Sequence, residues 1–293
     1  MNMKVASVLV KGSARDGDND FRGRHFAGDR KARFRLLKQC AKAAIENECA
    51  ALVLPAGFFA VSDDKERVRL EQRLKTTAGL DNLILALGID VLDEQSPKGG
   101  KKRTAGQSHL PYYGYVLHSG RFVIGPVAQV SSSTSDGLSA EEAATAIKDR
   151  VAKFGNGRRQ SRVALAICGE VLSSCFRNEI NNALDKQANK ETVEDGPAIL
   201  FHIAHASVQL GGSANESWES KVSELIDGLP LNYVWAFSDH IMALEHFGNG
   251  KTVDLVRGNA AEGGQTRLTA RFGLGEDEDA RMYVYECTQA SRP

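Results

Sequence analysis

The chain has 293 residues, 42% of them hydrophobic and 25% charged, enough to bury a core of its own; a disulfide-stapled miniprotein and a wholly disordered chain are both excluded. Its 37 Lys and Arg balance 37 Asp and Glu, so the global basic field of a nucleic-acid binder is missing and only a local patch could hold such a partner. No run reaches the roughly 18 apolar residues of a membrane helix, and the opening MNMKVASVLVKGSARDGD turns polar too soon for a signal peptide, so the expectation is a cytoplasmic protein that does not enter a membrane.

In chain order, residues 5–10 are short and β-branched and predict a strand, followed by a Gly-rich polar loop over 12–28. Phe34, Leu36, Leu37, Cys40 and Ala44 recur at helical spacing and predict a helix over 31–44 with one buried stripe. Residues 50–54 form a compact apolar strand stopped by Pro55 and Gly57. A charged helix follows over 64–77. The segment 82–91, NLILALGIDV, is apolar enough to be a strand covered on both faces. Residues 96–107 read as a Lys- and Gly-rich loop, and 112–117 with 121–124 as a hairpin turning at His118, Ser119 and Gly120.

After a serine-rich link, Ser139 and Glu142 make the capping box of a helix running towards Phe154. A strand over 163–167 ends at Cys168-Gly169-Glu170, and a helix-like stretch continues to Leu184. A strand over 198–203, a helix over 216–229 containing Trp218, and a strand over 233–237 come next. The tail supplies strands near 252–256, 266–272 and 282–287. Alternation early and bare strands late predict one layered α/β domain, 1–293, with helices outside the sheets.

The five cysteines, Cys40, Cys49, Cys168, Cys175 and Cys287, form no C-x-x-C pair, which argues against disulfides and a thiolate metal site. Cys168 stands apart because it sits where a buried strand gives way to a turn and helix. Backbone N–H groups and the helix dipole can stabilise a thiolate there, so Cys168 is a candidate nucleophile as well as a candidate core residue. His202 and His205 end the following strand and can face the same sheet edge, as a Cys–His pair or as hydrogen-bonded structural groups. The spacing contains no tight metal-ligand motif, and neither metal nor cofactor is expected.

The strings ALVLPAGFFA, RVALAICGE and ILFHIAHAS, in this order and at these separations, resemble the nitrilase (carbon–nitrogen hydrolase) superfamily across nearly the whole chain. The resemblance implies an α-β-β-α sandwich, homo-oligomers, and a Cys that attacks an amide or nitrile carbon, aided by a Glu acting as base and acid and a Lys that stabilises the tetrahedral intermediate. Carried over, the Cys falls on Cys168, with Glu170 as its trailing carboxylate. The Glu position holds Ala56, after Leu52-Val53-Leu54-Pro55, and the Lys position holds Gln129. Losing acid–base help costs about 100- to 10,000-fold and losing an oxyanion donor about 100- to 1000-fold. The expectation is therefore a degenerate hydrolase acting by binding a small ligand or a protein partner. The alternative is a working cysteine-dependent amidase or acyltransferase in which Glu170, His202 or His205 assists Cys168. A third reading lets the loop of Lys98, Lys101, Lys102 and Arg103 touch nucleic acid or a partner.

Overall fold

The computed structural model describes residues 2–11, 30–91, 112–131, 138–155, 160–188, 196–205, 231–239, 266–274 and 280–288. The first half contains β1 (Asn2–Lys11), α1 (Arg30–Glu46), β2 (Ala51–Val53), β3 (Phe59–Val61), α2 (Asp64–Lys75), β4 (Ile84–Val91), β5 (Tyr112–His118) and β6 (Arg121–Ala128). The second half contains α3 (Ala140–Ile147), β7 (Val151–Phe154), β8 (Ser161–Ile167), a 3-10 turn (Cys168–Leu172), α4 (Ser174–Ala188), β9 (Ala198–His205), β10 (Leu231–Asp239), β11 (Thr266–Leu274) and β12 (Ala280–Thr288). Among the described residues no helix is long and apolar enough to cross a membrane.

The main strand order is β6-β5-β4-β2-β1-β10-β9-β8-β7. Among the described residues its two halves meet where Val10 and Lys11 of β1 pair with Ser238 and Asp239 of β10, while β12 lies along the opposite edge of β1 from Asn2 to Val10. The chain therefore builds two sheets joined by a narrow bridge.

Side-chain alternation then sorts the layers. Ala6, Val8, Val10, Leu52, Leu85 and Leu87 cluster with Phe34, Leu37, Cys40 and Ala44 of α1 and Leu70 and Leu74 of α2. The opposite faces of the same strands, Val5, Val53, Ala86 and Val116, cluster with Leu165, Ile167 and Phe201 of β8 and β9 and with Phe176 and Ile180 of α4. The order helices, sheet, sheet, helices follows, which is the α-β-β-α sandwich expected from the sequence. All eight residues of β4 are buried because it has helices on one side and the second sheet on the other.

Local signals explain most boundaries. Asp63 caps α2, its Oδ1 accepting the Glu66 N–H at 2.8 Å. The Ser139–Glu142 capping box starts α3 as predicted. The end of α3 corrects the expectation of a helix reaching Phe154: it stops at Ile147, and Val151–Phe154 form β7, paired antiparallel with Ser161–Ala164 of β8. Pairing with the open edge of β8 outweighs helix continuation. The short β3 was not anticipated. The predicted helix at 216–229 with Trp218, the strand at 252–256 and the loops at 12–28 and 96–107, with Lys98 to Arg103, lie outside the described residues.

Candidate functional site

Cys168 begins the 3-10 turn at the tip of β8, half-buried, with φ 47°. A left-handed backbone costs an L-residue about 1–2 kcal/mol, so the surroundings must hold this elbow in place.

They do so through Glu170. Its carboxylate is buried and paired with the equally buried Arg150, whose Nη1 donates to Oε2 at 2.8 Å and whose Nη2 donates to Oε1 at 3.0 Å. The Ile167 N–H donates to Oε2 and the Val130 N–H to Oε1, both at 2.8 Å. Arg150 Nη2 also donates to the Ala128 carbonyl. Burial pushes the Glu170 carboxyl up in pKa, while Arg150 and the two backbone N–H groups pull it down. All four contacts are N–H donors, and a bound proton would have to face one of them, so the arrangement is that of a charged pair. Glu170 thereby ties the β8 tip to the segment after β6, and its oxygens are occupied by those four donors.

His202, on β9, is buried, and its Nε2 lies 2.8 Å from the Cys168 carbonyl. A carbonyl only accepts, so Nε2 carries the proton. Burial holds its pKa down to about 4 against the pull of that carbonyl, leaving the ring neutral at physiological pH. His205 ends β9 opposite Ser238 of β10.

Gln129 is 1% exposed, and its Nε2 donates to the Ser131 carbonyl at 2.8 Å while Oε1 has no hydrogen-bond partner among the described residues. Its neighbours on either side, Ala128 and Val130, both take part in the Arg150–Glu170 lock.

Ala56 is also buried, in the cluster between the sheets that includes Ile167 and against which Cys168 packs. Two glycines make that approach possible. Gly88 and Gly114 are cross-strand partners on β4 and β5. A Cβ on Gly88 would stand 2.5 Å from Ala56 Cα, and one on Gly114 would stand 2.9 Å from Ile167 Cδ1. Cross-strand partners point to the same face, so the 55–57 turn and the end of β8 lie side by side over this glycine window.

The structure thus gathers Cys168, Glu170, Gln129 and His202 at the end of β8 and sets Ala56 on the adjoining face. Arg150 is the member the sequence reading missed. It lies just past α3 with no motif around it, and only the need of a buried Glu170 for a cation could have raised the question.

No family model matches the chain, and no curated protein sequence does. Solved structures of similar fold include a nitrilase-superfamily amidase from Nesterenkonia, at 15% identity over 80% of this chain and 76% of that one, with a TM-score of 0.41. The glutamine-dependent NAD+ synthetase of Acinetobacter baumannii is similar at 12% identity over 81% of this chain and 38% of its own, with a TM-score of 0.46. The C. elegans NitFhit protein is similar at 14% identity over 81% and 51%, with a TM-score of 0.43.

Proposed function

We propose that this chain is a carbon–nitrogen hydrolase-like protein whose amide-cleaving set is degenerate, and that it works by binding a small ligand or a protein partner at the β8 tip. The observation that carries the reading is the chemistry beside the elbow. A methyl group stands at Ala56 and a neutral amide at Gln129, where the resemblance calls for a carboxylate and an ammonium, while Glu170, the one carboxylate at the tip among the described residues, is spent on Arg150 and two backbone N–H groups. Glu170 is in this reading a positioning residue and His202 a neutral brace. The buried Oε1 of Gln129 is an acceptor that a ligand N–H or O–H would satisfy, and such an orphan costs about 1–3 kcal/mol when left unpaired.

One observation favours the second reading, a working cysteine-dependent amidase or acyltransferase: the strained φ of Cys168 is the kind of backbone held at nucleophile elbows. A panel of amides decides between them. The binding reading expects no ammonia or amine release above that of Cys168→Ala. Release abolished by Cys168→Ala, together with Cys168 alkylating with iodoacetamide far faster than the other cysteines, overturns it. The homo-oligomer implied by the resemblance is likewise proposed, and light scattering tests it.

A further inference from the structure

Away from the elbow, on the outer helical layer, α1 and α2 enclose an open groove of about 440 Å³ lined by Lys31, Phe34, Arg35, Lys38, Arg73, Thr76 and Thr77. We propose that this groove binds a ligand carrying several phosphate groups in a row, a nucleoside triphosphate or an inorganic polyphosphate chain.

Four of the lining side chains are cations and none is an acid, in a chain whose formal net charge is zero. Among the described residues Glu66 is paired with Arg30 at 2.8 Å and Asp64 with Arg67 at 2.8 Å. Among the described residues neither Arg35 nor Lys38 has a carboxylate partner. The first turn of α1 carries no acidic residue, so its N-terminal dipole adds to the positive potential at Lys31.

The opposing feature is the C-terminus of α2, whose carbonyls would repel an anion. Three of the last four carbonyls are occupied. Thr76 Oγ1 donates to the Gln72 and Arg73 carbonyls, Thr77 Oγ1 donates to Arg73, and the backbone N–H groups of Thr76 and Thr77 donate to Arg73 and Leu74. Arg73 is itself pre-placed, its guanidinium 3.7 Å from the centre of the Phe34 ring.

Spacing selects the ligand. Lys31, Arg35 and Lys38 stand on one stripe of α1, and seven residues of helix span about 10 Å. A lone phosphate or carboxylate meets one or two of these cations, whereas a phosphate chain meets them in succession with Arg73 facing it from α2. The groove lies within the roughly 300–1,000 Å³ of ligand pockets. A long nucleic acid is disfavoured by the balanced net charge.

The test is titration calorimetry of the full chain with orthophosphate, inorganic tripolyphosphate, ATP and a short single-stranded oligonucleotide. Tripolyphosphate should bind about tenfold or more tighter than orthophosphate, and Arg35→Glu with Lys38→Glu should weaken it about tenfold or more, since each removes a charge-assisted contact. ATP binding tighter than tripolyphosphate assigns a nucleotide, and the reverse order an inorganic chain; either supports the site. An unchanged circular dichroism melt and Cys168 alkylation rate show that the variant folds, and Arg35→Gln with Lys38→Gln serves if it does not. No binding of tripolyphosphate, binding untouched by these substitutions, or an oligonucleotide bound more tightly than tripolyphosphate overturns the proposal. None of these outcomes bears on the degenerate-hydrolase reading, which rests on another layer of the fold.

Discussion

Replacing Arg150 with Met should be among the most damaging single changes outside the hydrophobic core. The substitution preserves most of the side-chain volume but removes two donors at 2.8 and 3.0 Å and the only positive charge described against Glu170, whose side chain is 0% exposed. Two backbone N–H groups remain, and they do not neutralise a carboxylate. Breaking one side of a buried pair costs about 3–5 kcal/mol. At about 2–4 °C per kcal/mol for a large domain, the melting temperature should fall on the order of 10 °C. Glu170→Gln alone leaves a buried guanidinium facing a neutral amide and should cost a similar amount. Combining the two removes both charges and should recover most of the loss, so a double-mutant cycle in urea should return a coupling of about 2 kcal/mol or more. The elbow supplies a second readout, because Cys168 alkylation should change in Arg150→Met if the lock holds the backbone at φ 47°. A cost below about 1 kcal/mol for Arg150→Met, or a double variant no more stable than either single one, would refute this account of the lock.

The buried neutral His202 should make the fold acid-sensitive. Its folded pKa of about 4 lies below the ordinary 6.5, so between those values the unfolded chain binds the extra proton and stability falls with falling pH. The loss is on the order of 2 kcal/mol from pH 6.5 to 5, and a His202→Gln variant showing the same slope in urea melts sinks the assignment. At position 168, Gly relieves the left-handed strain that Ala retains, so Cys168→Gly should be about 1 kcal/mol more stable than Cys168→Ala; equal stabilities would mean that the backbone is not strained there. Gly88→Ala should cost about 1–3 kcal/mol or more because its Cβ meets backbone atoms of Ala56 and Gly57, while Gly114→Ala, which meets side chains of Ile167 and Leu165, should cost less. Finally, Ala56→Glu and Gln129→Lys should each destabilise, yet their double variant should be milder than the sum by about 1 kcal/mol if the two tips adjoin; strict additivity would separate them.

Much of this was legible in one dimension because the signals are local. Helical spacing of Phe34, Leu37, Cys40 and Ala44 marked α1, unbroken apolarity marked β4 as covered on both faces, and the Ser139–Glu142 box marked the start of α3. The turn after Ile167 singled out Cys168. The sequence by itself determined that the layers alternate and that Ala56 and Gln129 carry no charge. What only the tertiary structure decided involves residues far apart in the chain. β12 occupies the edge of β1, β8 converts the expected end of α3 into β7, and Arg150 is chosen from among 37 basic residues to neutralise Glu170. The physical reason is the same in each case. An unpaired strand edge or an uncompensated buried charge states a requirement locally, and the residue that meets it is fixed by which distant segment folding brings alongside.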